Sequence, residues 1–197
     1  LFENDFQLFR SLFGVLFLLN SNRAEGSWVT RRDIEKIVER KRKPRTLLDF
    51  EVADSLAALR FAFSRKTKWN LSTFKRLHFI LFQHIAPPIA GKFKQENNVI
   101  FNEPTTDWQS VKKEFNKLMD WFWEERKTGY PPRVAVEFHA RFEAIHPFED
   151  GNGRIGRLLF NSYLLQSGYM PVIFFSENHH SYSAAISAAR QGRKRKL

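Results

Sequence analysis

The chain has 197 residues, 43% hydrophobic and 15% aromatic with 21 Phe, which is enough apolar mass for one well-filled core. It contains no cysteine, which excludes a disulfide scaffold, zinc fingers, iron–sulfur ligation and thiol catalysis. The net charge of +11 invites a nucleic-acid partner, but the excess sits in residues 31–45 and 190–197, as expected of a solvated basic helix and tail.

The first predicted element is a helix whose core stripe runs through Phe6, Phe9, Phe13, Leu16 and Phe17. Its apolar run from Leu12 to Leu19 is far too short to span a bilayer. Glu3 and Asp5 ahead of that run, with no small-x-small site behind it, do not suit a signal peptide, so a soluble cytoplasmic protein is expected. Thr30 is the expected N-cap of a helix from Arg31 to Lys43, closed by Pro44. Thr46, with Asp49 three residues on, opens the next, which carries Leu48, Val52, Leu56 and Leu59. Ser72 is expected to cap a helix from Thr73 to Ile85, ahead of Pro87 and Pro88.

Gly91 to Phe101 breaks the helical pattern. Phe93 and the run Val99 to Phe101 flank polar Gln95 to Asn98, which predicts a short hairpin turning at the polar residues. An isolated hairpin is marginal, so this one is expected to rest on the helices as a flap. Thr106 then opens a long amphipathic helix to Gly129, and Pro131-Pro132 starts another through Val136, Phe138, Phe142 and Ile145. Gly153 to Gln166 predicts a further helix with Gly168 just past its end, and Tyr182 to Gln191 the last. The fold expected is a single all-α bundle with a small β-hairpin.

One stretch carries chemistry. Residues 146–157 read His-Pro-Phe-Glu-Asp-Gly-Asn-Gly-Arg-Ile-Gly-Arg, at the junction of two predicted helices. Gly151 and Gly153 let backbone N–H groups approach a ligand, and the following helix presents its positive end there. That makes an anion nest. Arg154 and Arg157, one turn apart, can face the same anion. Asp150 beside phosphates suits Mg²⁺, which takes one carboxylate and fills its remaining positions with phosphate oxygens and water. His146 is the base in this loop that can be neutral near pH 7. Together they describe a polyphosphate site with a metal and a general base.

Simpler explanations compete for parts of this pattern. Gly151-x-Gly153-x-x-Gly156 formally matches a dinucleotide-binding fingerprint, but that motif follows a strand and here a helix precedes it. His139, Glu143 and His146 share helical spacing, yet Phe138 and Phe142 favour a packed His139 over a metal trio. His179 and His180 are expected as an exposed loop pair.

The run His146 to Arg157 resembles, without a mismatch, the Fic motif His-x-Phe-x-Asp/Glu-Gly-Asn-Gly-Arg-x-x-Arg. His139 to Ile145 is similar to the helix leading into it. Gly91 to Ile100 resembles the Fic flap, with Lys94 where Arg is usual. Ser21 to Gly26 resembles the Ser/Thr-x-x-x-Glu-Gly/Asn signature of a Fic inhibitory helix.

The resemblance implies a Fic-type helical bundle and protein adenylylation, the transfer of AMP from ATP to a Ser, Thr or Tyr hydroxyl with release of pyrophosphate. By position, it makes His146 the base, Phe148 the loop anchor and Asp150 the Mg²⁺ ligand. Gly151, Asn152, Gly153 and Arg154 would hold the α/β-phosphates, Arg157 the γ-phosphate, and Tyr182 would line the adenine pocket. Glu25 would inhibit by engaging Arg157. The flap residues Lys92, Phe93, Lys94, Asn98, Val99 and Ile100 would dock the target as an added strand. Residues 1–45 would hold the inhibitory helix, 46–192 the Fic core and 193–197 a basic tail. The partner implied is a protein substrate, the chain itself included, with no membrane; a homo-oligomer stays open. Three alternatives remain: a de-adenylylating hydrolase, a transferase using UMP or phosphocholine, and a basic nucleic-acid-binding module.

Overall fold

Threonines at two helix starts set the N-terminal third. Thr30 accepts the Asp33 N–H while the Asp33 carboxylate returns to the Thr30 N–H, and Thr46 and Asp49 repeat the arrangement. Such reciprocal capping boxes satisfy two otherwise orphaned donors each. The computed structural model describes residues 2–39, 43–64, 68–100 and 103–190, and side chains from residue 12 to 189. The expected roles of Phe6 and Phe9, Phe101 and the 193–197 tail lie outside the described residues; the helix expected over Arg31 to Lys43 ends at Val38.

The helices are α1 (Phe2–Arg23), α2 (Arg31–Val38), α3 (Leu47–Ala62), α4 (Leu71–Phe82), α5 (Val111–Thr128), α6 (Pro131–Ile145), α7 (Asn152–Gln166) and α8 (His179–Arg190). Strands β1 (Val99–Ile100) and β2 (Glu103–Pro104) pair antiparallel, Val99 opposite Pro104 and Ile100 opposite Glu103. The all-α bundle with a small hairpin is therefore what forms. Among the described residues, no helix is long and apolar enough to cross a membrane.

The core is aromatic. Trp69 stacks on Phe122 with centroids 4.5 Å apart, and Phe138 and Tyr163 meet Trp69 edge-on. Edge-to-face contacts of this kind add about 0.5–1.5 kcal/mol each beyond the area they bury. α7 runs through the middle, every residue from Arg154 to Leu164 buried. A helix enclosed on all sides loses the amphipathic pattern that marks a surface helix. It packs most extensively on α6, and also meets α1, α3 and α4. The loop between α6 and α7 is thus anchored at both ends in the core.

Several boundaries differ from expectation. Asn70, not Ser72, caps α4: its Oδ1 accepts the Thr73 N–H at 2.9 Å, and Ser72 donates its hydroxyl to the same oxygen. Asn is at least as good a cap as Ser, and the one two residues earlier prevails. α4 also stops at Phe82, short of Ile85. α5 begins at Val111, after a 3-10 turn over Trp108–Ser110 capped by Asp107 rather than Thr106. α8 starts at His179, so His179 and His180 form a first helical turn, not a loop pair. Gln95 to Asn98 is not the hairpin turn; these residues precede β1.

Candidate active site

His146 ends α6 in the left-handed conformation, φ 48°, and is the non-glycine residue with positive φ among those described. Such a conformation costs a side-chain-bearing residue free energy and persists only where its surroundings impose it. Pro147 contributes, because a following proline disfavours the helical conformation at 146. The turn carries the imidazole off the helix axis, leaving it 15% exposed with Nδ1 turned inward, 3.5 Å from Glu143 Oε2.

The loop beyond is held from three sides. Phe148 is fully buried and stacks on His78 with centroids 4.2 Å apart. Asn152 accepts the Phe148 N–H at 2.9 Å and donates to the Phe148 carbonyl at 2.9 Å. His78 accepts the Gly91 N–H at Nδ1, which leaves its Nε2–H to donate to the Asp150 carbonyl at 3.2 Å. Burial pushes the His78 pKa down to about 4, so this two-sided bridge keeps one neutral tautomer at physiological pH. Gly151 caps α7 with φ 76°, and a Cβ there would overlap the Phe82 ring. Both facts require glycine.

No side chain caps α7, so the backbone N–H groups at its start are available to an anion. The Asn152 side chain is turned inward onto Phe148, which leaves its backbone N–H as the group it offers there. Arg154 lies over the Phe82 ring and is shared between Asp150 Oδ2 at 3.2 Å and Glu51 Oε1 at 3.6 Å. Its Nε is buried without a partner. The other Glu51 oxygen accepts the Ser27 hydroxyl at 2.8 Å, which ties the segment after α1 to the same arginine.

Arg157 is 2% exposed and is held by the end of α1 and the turn after it. Its Nη2 donates to Glu25 Oε1 at 2.7 Å and to the Ser21 carbonyl at 2.9 Å, while Nε donates to Ser21 Oγ at 3.1 Å. Burial lowers the Arg157 pKa, but the Glu25 charge, with Tyr182 and Glu143, outweighs it and raises the net value. Gly26, φ 85°, turns the chain away directly after Glu25. A Cβ on Gly153 would overlap the Glu25 carboxylate, so that carboxylate sits against the first turn of α7, where an anion would bind.

The hairpin is locked to the same loop. Lys94 donates its N–H to the Pro147 carbonyl at 3.0 Å, and Asn98 Nδ2 donates to the Phe148 carbonyl at 3.1 Å. The Lys94 ammonium is buried, donating to Asn98 Oδ1 at 2.8 Å and Thr105 Oγ1 at 2.6 Å. Burial lowers its pKa to about 8. Phe93 packs between Phe115 and Phe148. Of the expected docking set, Phe93, Lys94 and Asn98 therefore face the protein, and Lys92 and Val99 face outward.

Tyr182 meets His139, its hydroxyl 2.7 Å from His139 Nε2. Burial raises the Tyr182 pKa and lowers that of His139 to about 4. Glu143, 2% exposed, lies among His139, His146 and Arg157. Burial pushes its carboxyl up, but these neighbours outweigh that effect and hold it below the ordinary range. Among the described residues no three His, Asp or Glu side chains converge as a metal site. Asp150 offers a half-exposed carboxylate beside the anion-binding helix start, a donor set that fits Mg²⁺ only together with phosphate oxygens.

The structure brings His146, Asp150, the α7 start, Arg154, Arg157 and Glu25 to one place. Two residues at this place escaped the sequence, His78 and Glu51, because a lone His or Glu on a helix carries no local pattern. The match to known proteins is consistent with the geometry. Residues 68–164 match the model of the Fic/DOC family. The protein adenylyltransferase Fic of Nematostella vectensis is 27% identical over 183 residues, covering 89% of this chain and 43% of its own length. A Fic domain containing signaling protein from Bacteroides thetaiotaomicron superposes with TM-score 0.82 at 23% identity, over 94% of this chain and 74% of its own. Fic-1 from C. elegans superposes with TM-score 0.80 at 26% identity, over 90% of this chain and 56% of its own. The chain thus spans less than half the length of the Nematostella relative.

Proposed function

Because residues 68–164 of this chain form a Fic domain, we propose that it is a protein adenylyltransferase, transferring AMP from ATP to a hydroxyl of a protein. The observation that carries this reading is the placement of His146 on a left-handed helix end beside an uncapped helix start with two buried arginines.

In this mechanism the backbone N–H groups at the start of α7 and Arg154 hold the α- and β-phosphates. Arg157 pairs with the γ-phosphate, a buried guanidinium well suited to phosphate recognition. Asp150 would hold Mg²⁺, which neutralises phosphate charge when bound. His146 Nδ1 faces Glu143, so Nε2 is the nitrogen that accepts the proton of the attacking Ser, Thr or Tyr hydroxyl. The hydroxyl oxygen bonds to the α-phosphorus as the bond to the β-phosphate bridging oxygen breaks, and pyrophosphate leaves. The target would lie along the hairpin as an added strand, with Lys92 and Val99 outward and the Lys94–Asn98 lock fixing the distance to His146.

Glu25 regulates this site. It occupies Arg157 and abuts Gly153, so the triphosphate and the Glu25 carboxylate compete for one guanidinium. The proposal is tested by incubating the protein with ATP and Mg²⁺ and reading the mass of the products. Gain of one AMP on protein, lost in His146→Ala, supports it; a folded protein with Glu25 removed that gains none contradicts it.

A further inference from the structure

We infer that Glu143 is the positioning residue of the base: it holds the His146 ring with its proton on Nδ1 and balances the charge that the ring acquires. The inference rests on His146 acting as proposed above. Four observations carry it. First, Glu143 Oε2 is 3.5 Å from His146 Nδ1, one helical turn away on α6. Second, Glu143 Oε1 and His146 Nδ1 are both buried and neither makes a hydrogen bond. Buried polar atoms left unpaired are costly, so the ring nitrogen gains from the carboxylate oxygen that it faces, Oε2. Third, the carboxylate is sealed by α7 at a glycine. A Cβ on Gly156 would stand 2.5 Å from His139 Nδ1 and 3.0 Å from Glu143 Oε1, so a side chain there would displace both. Fourth, the Arg157 guanidinium is held by hydrogen bonds to Glu25 and Ser21 rather than to Glu143.

The charges around the pair are few and named. His139 and His146 share α6 with Glu143, Arg157 faces it from α7, and Tyr182 approaches from α8. His139 is held neutral by burial, and Arg157 is already paired with Glu25. His146 is therefore the site at which the remaining Glu143 charge acts. When the hydroxyl proton moves to Nε2, the ring becomes an imidazolium with Nδ1–H toward the carboxylate. The proton stays on the ring until it passes to solvent, and Glu143 remains ionised throughout. A 3.5 Å separation is long for a hydrogen bond, and such catalytic contacts commonly shorten when substrate is bound.

The test reads the ring directly, without activity. In ¹⁵N spectra of the wild type near neutral pH, His146 is expected as the Nδ1–H tautomer; an Nε2–H tautomer overturns the proposal. In Glu143→Gln, the share of the Nδ1–H tautomer falls, because the charged acceptor facing Nδ1 is lost. An unchanged share in a folded variant overturns it as well. With AMP transfer as a second readout, Glu143→Gln lowers kcat at least about tenfold, short of the roughly 10²–10⁴-fold loss of removing the base, with KM for ATP unchanged. A wild type that shows the Nδ1–H tautomer, with Glu143→Gln losing that preference, but transfers no AMP refutes the proposed function and leaves the Glu143–His146 pairing supported.

Discussion

Arg157 donates to Glu25 across 132 residues of sequence, joining the turn after α1 to the middle of the core. The arginine is buried and the glutamate partly exposed, so the contact is stronger than a surface ion pair and still reachable by a competing anion. The two members of this pair have opposite expected effects. Arg157→Ala removes the inhibitory partner and the γ-phosphate partner together. AMP incorporation is expected to fall below wild type, because the lost γ-phosphate contact outweighs the release of Glu25. A rise in incorporation in this variant would show that Arg157 has no part in holding ATP.

His146→Ala removes the base while leaving the α7 start, Arg154 and Asp150 in place. Transfer is expected to fall by about 10²–10⁴-fold with ATP affinity kept within a few-fold. Single-turnover rates beside ATP titration separate the two effects.

Asp150 and its neighbour Glu149 are expected to contribute unequally to a metal requirement. Both are exposed, but Asp150 is fixed by Arg154 at 3.2 Å, beside the helix start. Asp150→Ala is expected to raise the Mg²⁺ concentration needed for transfer severely, and Glu149→Ala to leave it nearly unchanged. Rate against Mg²⁺ concentration gives the ranking.

Phe148→Ala opens a cavity against His78 and Phe93 at a fully buried position. Loss of about 3–5 kcal/mol in urea unfolding is expected, with transfer lost because the loop loses its anchor. Phe148→Leu is expected to be milder in both.

Lys94 makes stability depend on pH in a defined direction. Its folded pKa of about 8 lies below its ordinary 10.5, so between these values the unfolded chain binds more protons. The cost of burying the ammonium is present in full below pH 8 and is relieved as pH rises toward 10.5. Lys94→Arg stays charged throughout this range. The wild-type Tm minus the variant Tm is thus expected to increase from pH 8 to 10; a flat difference contradicts the burial effect.

What the sequence made legible was what lies close together in it. The loop from His146 to Arg157 is contiguous, so its base, carboxylate, glycines and arginines could be read as one anion site. The α3 start was legible because Thr46 and Asp49 form a local capping box. The hairpin was placed but its turn was not: Gln95 to Asn98 is polar, yet Asn98 is turned inward to Lys94 and Phe148. A polar side chain satisfied inside the protein has the same appearance in sequence as one in a solvated turn. His78 bridges Gly91 and Asp150 across α4, and nothing local distinguishes it from any core histidine. Glu25 could be singled out only through the resemblance of Ser21 to Gly26 to an inhibitory helix, since its partner is far along the chain.

The most direct test is AMP incorporation by Glu25→Gly against wild type, in ATP and Mg²⁺, read by mass spectrometry. A charge-assisted carboxylate–guanidinium contact is worth roughly 1.5–3 kcal/mol, equivalent to about 10- to 150-fold in rate. The account predicts a weak wild-type transferase and an increase in that range when the carboxylate is removed. A folded Glu25→Gly protein that incorporates AMP no faster than wild type would contradict it.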